Sequence, residues 1–310
     1  MLPLAIRENP VRLAFVGQRE YFAVATPPED TPGLESSFVD YRAGEDFTAA
    51  RSALAELGPD CIVVFRPELV PQGGLDGLDA VTVGYMTEPL PRPGAEPHPD
   101  LAGRLAVASG IDAGAFDRII SFDPLIAPTI AQFAPVWRSF PLPVADRFYR
   151  DVTDSDGPPR SLFVGRSTAH RESFLVPIKH RFDTMHLAHG ASDDRLAELL
   201  ADFDIAINLH NEPYPTFENR VSLHLASGAL CISEPVSPTH GLEPGIDFVE
   251  VTQPWELEEV MAAATSNFDD YRPIRLRGRI KAETFRASAV WPRVIADLAA
   301  DIQAHGRARR

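Results

Sequence analysis

The sequence predicts an α/β protein made of two domains, each with a parallel β-sheet covered by helices. Apolar runs alternate with helical patterns along the chain, and the runs are continuous, as in strands that are buried on both faces. With 310 residues and 45% hydrophobic content, the chain is longer than one core comfortably supports. We therefore expect two Rossmann-like halves that face each other across a cleft, with ligands at the carboxyl ends of the strands.

The first half of the chain shows one series of strands and helices. The predicted strands lie at residues 11–17, 60–65, 80–86 and 117–123, and the predicted helices at 47–58 and 125–133. Gly58 is the expected C-cap of the first of these helices. The charged, Pro-containing stretch 151–160 predicts a linker, so the first domain is expected over residues 1–150.

A second series starts after that linker. Strands are expected at 161–166, 183–190, 205–210, 229–233 and 248–252, and helices around Phe174 and at 193–204, 218–227 and 254–266. The second domain is predicted over residues 151–275. A last helical run, about 278–304, is long enough to cross back to the first domain, and residues 276–310 are assigned to it and to a basic tail.

Composition excludes several classes of function. A net charge of −15 argues against nucleic-acid binding, which needs a basic face. Residues 271–310 nevertheless carry ten Lys and Arg against three Asp and Glu. This segment is expected either to be a solvated basic helix face or to contact an anionic membrane or a phosphorylated acceptor.

No apolar run is long enough to span a bilayer, and the start lacks a signal-peptide pattern, which predicts a cytoplasmic protein. Cys61 and Cys231, inside apolar runs, are expected to be buried thiols.

The segment 208–248 carries the clearest chemical signal. A buried strand enters a Pro-rich loop, and a short helix then opens at Glu218, Asn219 and Arg220. Free backbone N–H groups and the dipole at a helix N-terminus favour an anion, and the adjacent arginine adds positive charge. The chain has only two lysines, Lys179 and Lys281, so phosphate binding must depend mainly on arginine and helix ends.

The second half resembles the donor-binding domain of group 1 GT-B glycosyltransferases (family 4-like), in the branch with the CgeB-like glycosyltransferase domain. The resemblance covers about residues 160–300, whereas the first half matches only in strand order. The motifs that carry it are Phe163-Val164-Gly165-Arg166, Asn219-Arg220-Val221, Leu225-Ala226-Ser227-Gly228-Ala229, Gly241-Leu242 with Pro244-Gly245, and Trp255-Glu256-Leu257.

This resemblance implies a site for a nucleotide diphosphate sugar. It implies that the diphosphate is bound by five residues, which are Gly165, Arg166, Arg171, Asn219 and Arg220, with Arg171 where the family usually has lysine. Guanidinium groups would neutralise the diphosphate leaving group. The expected contacts to the sugar or base are His210, Asn211, Glu212 and Glu218, at or after the end of a buried strand.

The sequence departs from the family at the two glutamates that group 1 enzymes usually carry. Leu223 occupies the position of the second glutamate, which meets the nucleotide ribose, and Pro215 occupies that of the first. Three alternatives remain open: another residue replaces them, the donor differs, or the domain has lost catalysis.

On the first domain, the loop Gly17-Gln18-Arg19 is expected to approach the acceptor. Glu88 and Asp123, which follow predicted strands, are the candidate catalytic bases, although each carboxylate is as well explained by pairing with an arginine. An inverting transfer needs such a base. The resemblance favours retention, in which the leaving diphosphate takes the proton.

No metal or cofactor is expected. The histidines show no zinc-ligand spacing, and no GxGxxG motif follows the first strand, which argues against an NAD dehydrogenase. The resemblance implies a metal-independent, hexosyltransferase-like enzyme of glycoconjugate or polysaccharide biosynthesis, with a nucleotide-sugar donor and an unidentified acceptor hydroxyl. The alternatives are an inactive GT-B protein that binds a nucleotide, glycan or partner enzyme, and a sugar-nucleotide epimerase.

Overall fold

The computed structural model of the protein describes residues 9–95, 98–153, 157–189 and 193–308. The chain forms two compact units, Met1–Ala145 with Ala287–Arg310 as unit 1, and Asp146–Arg286 as unit 2. The sequence predicts these limits at residues 150 and 275. Parts of the predicted linker and of the basic tail, residues 154–156 and 309–310, lie outside the described residues, as does the chain start that was examined for a signal peptide.

Unit 1 is built on a six-stranded parallel sheet in the order β2-β1-β3-β4-β5-β6. Its strands are β1 (Val11–Gly17), β2 (Leu34–Asp40), β3 (Cys61–Phe65), β4 (Val81–Met86), β5 (Arg118–Ser121) and β6 (Val136–Ser139). Its helices are α1 (Arg19–Phe22), α2 (Phe47–Leu57), α3 (Pro99–Ala108), α4 (Ala127–Ile130) and, at the end of the chain, α10 (Ala287–His305).

Unit 2 carries a five-stranded parallel sheet in the order β11-β10-β9-β7-β8. Its strands are β7 (Ser161–Val164), β8 (Thr184–Leu187), β9 (Ile205–Asn208), β10 (Leu230–Ser233) and β11 (Val249–Glu250). Its helices are α5 (Ala169–Lys179), α6 (Asp193–Ala201), α7 (Asn219–Ala226), α8 (Pro254–Ser266) and α9 (Arg272–Ala282). Two parallel sheets with helices confirm the predicted α/β class.

Local signals explain several element ends. Asp46 accepts a hydrogen bond from the N–H of Thr48 and caps α2, and Gly58 ends that helix with a left-handed φ of 51°. At the start of α8, the side chains of Gln253 and Glu256 form a reciprocal capping box. Both cysteines are buried free thiols, as expected.

The sequence does not indicate four of the elements, which are α1, β2, α3 and β6. One prediction is wrong. The strand β2 is largely half-buried at the sheet edge and rich in serine, so it lacks a continuous apolar run. The single predicted helix over 278–304 is two helices, because a 3₁₀ turn at Glu283–Phe285 ends α9 and Arg286 adopts an extended ψ of 124°.

The last helix returns to unit 1, as predicted. Trp291 of α10 is fully buried, its Nε1 donates to the carbonyl of Ala25 at 2.7 Å, and its ring packs edge-on against Phe15 at 4.9 Å. Beyond the helix, Arg307 pairs with the buried carboxylate of Asp117 at 3.0 Å. This arginine of the basic tail therefore takes part in an ion pair within unit 1.

We expect Trp291→Ala to destabilise unit 1 by about 3–5 kcal/mol, because a fully buried indole leaves a cavity and an unpaired carbonyl. Trp255→Ala is the matched control, since Trp255 is 57% exposed, and its effect should stay within about 0.5 kcal/mol. Urea denaturation of both variants checks this. Equal midpoints for the two variants would contradict the role of Trp291.

Candidate functional site

The candidate site lies at the carboxyl edge of the unit 2 sheet, where β7 ends at Gly165. The backbone there has a φ of 154°, and a Cβ atom would stand 2.7 Å from Nη1 of Arg220 and 3.2 Å from Nη1 of Arg171. The φ, which side chains rarely adopt, and the two guanidinium groups that approach the chain therefore both favour glycine at this position. The structure brings Gly165, Arg171 and Arg220 together, as the sequence predicts.

Arg171 stands in the first turn of α5 and is only 4% exposed. Its Nε donates to the carbonyls of Leu209 at 3.1 Å and His210 at 3.2 Å, and its Nη1 donates to the carbonyl of Arg166 at 3.0 Å. Burial, followed by the charge of Arg220, lowers the pKa of Arg171 to about 10, so the group is charged at neutral pH. Arg171 thus joins the loop after β9 to the loop after β7.

Arg220 performs a similar task from the start of α7. Its Nη1 donates to the carbonyl of Val164 at 2.9 Å, its Nη2 to the carbonyl of Leu209 at 2.9 Å, and its Nε to Oδ1 of Asn208 at 3.2 Å. Both guanidinium groups also lie over the ring of Phe163, at 5.4 and 5.5 Å. The two arginines therefore form hydrogen bonds with the ends of the strands and also place positive charge at this edge of the sheet.

Glu218 is the internal counter-ion of these arginines. Its carboxylate forms an ion pair with Arg220, and its Oε1 lies 3.9 Å from Nη2 of Arg171 and 3.5 Å from Nδ1 of His210. Burial alone would raise the pKa of Glu218, but Arg220 first, then His210 and Arg171, lower it to about 2. The side chain stays 25% exposed and remains ionised at neutral pH.

Several polar atoms around this group lack partners. Nδ1 of His210, Nδ2 of Asn211 and Oδ1 of Asn219 are buried, and within the described part of the chain none of them makes a hydrogen bond, although Nδ1 of His210 lies 3.5 Å from Oε1 of Glu218. The side chain of Glu218, the N-cap residue of α7, pairs with Arg220 and does not cap the backbone of the helix. Buried polar groups without partners are rare in proteins. These atoms are therefore candidates for contact with a polar ligand.

The remaining predicted contacts differ in accessibility. Arg166 is exposed, and its Nε donates to Oδ1 of Asn211 at 2.9 Å. The ring of His210 is buried and its Nε2 contacts the carbonyl of Pro235 at 2.8 Å. Burial lowers the pKa of His210, but Glu218 and that carbonyl outweigh it and the pKa is raised. Glu212 is partly exposed, and its carbonyl accepts from the N–H of Tyr214 at 2.7 Å.

The two positions at which the family carries glutamate hold no carboxylate. Leu223 is 3% exposed within α7, and Pro215 is exposed in the preceding loop. The sequence analysis missed Glu234 and His170, which pair through Oε1 and Nε2 at 2.7 Å. Glu234 directly follows β10, so the rule that ligands bind at the carboxyl ends of strands could have found it.

In unit 1, the candidate bases are held in ion pairs. Arg66 lies 3.2 Å from Glu88, and Arg104 also contacts this carboxylate. Asp123 is 2% exposed, accepts from the N–H of Leu125 at 2.7 Å and pairs with Arg92 at 3.2 Å, and burial raises its pKa.

The predicted acceptor loop of unit 1 forms the turn into α1. The carbonyl of Gln18 accepts from the N–H of Phe22, and the N–H of Arg19 donates to Asp40 at 2.8 Å. The guanidinium of Arg19 binds the carbonyl of Phe38 at 2.6 Å, so this arginine contacts the edge strand β2. At Gly17 a Cβ atom would stand 3.1 Å from Cβ of Phe65.

Within the described ranges, no group of three or more His, Cys, Asp or Glu side chains is placed to hold a metal ion. The same part of the chain contains no helix that is long and apolar enough to cross a membrane.

We expect two histidines, the buried His224 and the half-buried His240, to make unit 2 sensitive to acid. Burial, aided by Arg220, lowers the pKa of His224 to about 3, and burial lowers that of His240 to about 4. A histidine that stays neutral in the fold stabilises it fully above the unfolded pKa of about 6.5. This contribution falls as the pH drops below that value, because the unfolded chain takes up the proton first.

We therefore expect wild type to lose about 2 kcal/mol more stability than His224→Asn between about pH 7.5 and about pH 5. Contributions of opposite sign, such as that of His210, are common to both proteins and cancel. Urea denaturation at the two pH values measures this difference, with His305→Asn at the exposed end of α10 as the control. The same pH slope in His224→Asn as in wild type would exclude His224 as its source.

Comparisons with known proteins identify the fold. No protein-family model matches the sequence, and no curated protein sequence matches it. The structure is similar to sucrose-phosphate synthase from Thermosynechococcus elongatus, with a TM-score of 0.59, 12% identity, and coverage of 94% of this chain and 99% of that one. A glycosyltransferase from Rickettsia africae gives a TM-score of 0.57 at 11% identity, covering 96% of this chain and 100% of that one.

The Anabaena protein HepE, in its complex with UDP-glucose, gives a TM-score of 0.57 at 9% identity and covers 95% of this chain and 99% of its own. At such low identity, these similarities show the fold alone. They confirm the predicted GT-B architecture.

Proposed function

We propose that the protein is a glycosyltransferase that takes a sugar from a nucleotide diphosphate donor to an acceptor hydroxyl. The observation that carries this proposal is the cluster at the carboxyl edge of the unit 2 sheet. It combines Arg166, Arg171 and Arg220 with unpartnered polar atoms of Asn211 and Asn219 at the start of α7. A helix N-terminus with guanidinium groups suits a diphosphate. HepE, which shares the fold, has been crystallised with UDP and with UDP-glucose.

Two features support a metal-independent reaction that retains the anomeric configuration. Three guanidinium groups supply positive charge at the proposed diphosphate position, which is the role that a cation would otherwise serve. The two carboxylates proposed as bases, Glu88 and Asp123, are each paired with arginine. In a retaining transfer, the leaving diphosphate accepts the proton of the acceptor hydroxyl, so no dedicated base is needed.

A binding protein without catalysis is the second candidate, and Leu223 favours it. The side chain is buried where the family carries a ribose-binding glutamate. Thermal shift with UDP, GDP and dTDP and their sugars, together with assays of donor hydrolysis and transfer, separates the two candidates. Stabilisation with turnover supports the enzyme, and stabilisation without turnover on any acceptor supports the binding protein. If no nucleotide stabilises the protein, neither a nucleotide-sugar-dependent enzyme nor a nucleotide-binding protein is supported, and both candidates are excluded.

Arg166 offers the clearest test of the diphosphate position, because its side chain is exposed whereas Arg171 is buried and structural. We expect Arg166→Ala to weaken nucleoside diphosphate binding about tenfold and nucleoside binding less than twofold, since one charge-assisted contact is lost. The melting temperature should hardly change. Isothermal calorimetry measures both affinities, with Arg160→Ala, which lies just before β7 at the opposite edge of the sheet, as the control. If Arg166→Ala lowers the affinities for the nucleoside diphosphate and for the nucleoside equally, Arg166 does not contact the phosphates.

Glu218 is expected to oppose anion binding. Its carboxylate lies beside the guanidinium groups of Arg171 and Arg220, where a diphosphate would experience like-charge repulsion. We expect Glu218→Gln to bind nucleoside diphosphates about three- to tenfold more tightly at low salt, with a smaller gain at high salt. Weaker binding by Glu218→Gln would instead support the sequence-based assignment of Glu218 to the sugar or base.

A further inference from the structure

A pair of side chains next to the arginines has a fixed geometry. His170 stands in the first turn of α5, directly before Arg171, and its Nε2 lies 2.7 Å from Oε1 of Glu234. The other carboxylate oxygen, Oε2, accepts the backbone N–H of His210 at 2.6 Å. Glu234 is 6% exposed. Because both of its oxygens have partners, this carboxylate holds the imidazole of His170 in one orientation.

The carboxylate also determines which ring nitrogen of His170 is available. Of the two tautomers of the imidazole, the one that carries the proton on Nε2 donates to the carboxylate oxygen and fits this contact. Nδ1 then presents a lone pair. Among the described residues, none forms a hydrogen bond with Nδ1 of His170, and the side chain is 20% exposed. The ring is therefore oriented by the protein on one side and open to a ligand on the other.

The chemistry of this pair differs from that of the arginines. A neutral imidazole acceptor beside a carboxylate binds an O–H donor, and the negative charge of Glu234 disfavours phosphate. The carboxyl edge of the unit 2 sheet thus combines positive charge with a hydrogen-bond acceptor. The charge comes from Arg166, Arg171 and Arg220, and the acceptor is the imidazole of His170, which Glu234 orients. A nucleotide sugar offers the matching groups in one molecule, a diphosphate and adjacent hydroxyls.

We infer that His170 accepts a hydrogen bond from a hydroxyl of the donor sugar through Nδ1, and that Glu234 is the positioning residue that holds the ring. This inference rests on the proposed function. It adds a sugar contact that the sequence analysis does not contain. The predicted sugar contacts His210 and Glu218 already contact the carbonyl of Pro235 and the guanidinium of Arg220, respectively.

A purely structural role for His170, as a link between α5 and Glu234, is the alternative, and two amide variants separate it from ligand contact. The amide of His170→Gln reaches the position of Nε2, so it retains a donor to Glu234 but has no acceptor at Nδ1. The amide of His170→Asn lies near the position of Nδ1 and does not reach Glu234. A structural link is therefore retained in the first variant and lost in the second.

The test uses the full chain and the nucleotide that wild type binds most tightly. Calorimetry compares the affinity for the nucleotide sugar with that for the nucleoside diphosphate alone. We expect His170→Gln to lose about tenfold in affinity for the nucleotide sugar and less than twofold for the diphosphate, because only the hydroxyl contact is removed. Glu234→Gln should change the ratio of the two affinities in the same direction. His180→Gln, at the exposed C-cap of α5, is the control.

Each outcome decides the inference. If His170→Gln binds both ligands like wild type while His170→Asn lowers the melting temperature, His170 is only a structural link. The inference about the sugar contact then fails, and the proposed function is unaffected. If wild type binds nucleotide sugars and His170→Gln shows the selective loss, the inference holds. If wild type binds no nucleoside diphosphate, the proposed function fails and the sugar contact fails with it.

Discussion

Unit 2 depends on two guanidinium groups, that of the buried Arg171 and that of the partly buried Arg220, which bind the carbonyl ends of its central strands. Arg171 and Arg220 come from two different helices and donate to the carbonyls of Val164, Leu209 and His210, which end β7 and follow β9. Removing a charged group from water costs several kcal/mol unless its hydrogen bonds are replaced. The carbonyls and the carboxylate of Glu218 provide these replacements. The arginines can therefore be buried, and the strand ends receive donors that a sheet edge would otherwise lack.

This structural role shapes what the edge can bind. A guanidinium group that already donates to backbone carbonyls contributes its charge to a ligand more than its hydrogen bonds. In the proposed diphosphate complex, direct contacts would then come from the exposed Arg166 and from atoms of Asn211 and Asn219 that lack partners among the described residues. The presence of Glu218 reduces the net charge. The electrostatic strength of the edge is therefore a balance between three arginines and two carboxylates, those of Glu218 and Glu234.

The two units use the same backbone feature with different neighbours. Gly17 ends β1 and Gly165 directly follows β7, and both have a φ of 154°. Aromatic side chains of Phe65 and Phe22 stand closest to the first glycine, whereas guanidinium groups approach the second. Side chains rarely adopt this φ, so both positions favour glycine. The neighbouring side chains differ, so charged groups surround this glycine in unit 2 and aromatic rings surround it in unit 1.

The sequence by itself determined the class of fold and the edge that carries the chemistry. A strand buried on both faces needs a continuous apolar run, so the central strands are visible in the sequence, whereas the half-buried β2 is not. The carboxyl ends of parallel strands meet at one edge, which is why Gly165, His210 and Arg220 were predicted together. Tertiary structure alone decided the pairing of these groups. The contact between His170 and Glu234 joins residues that are 64 positions apart in the sequence. The ion pair between Arg220 and Glu218 depends on the direction of both side chains. Ion pairs and hydrogen bonds form between groups that are close in space, and spacing along the chain does not reveal them.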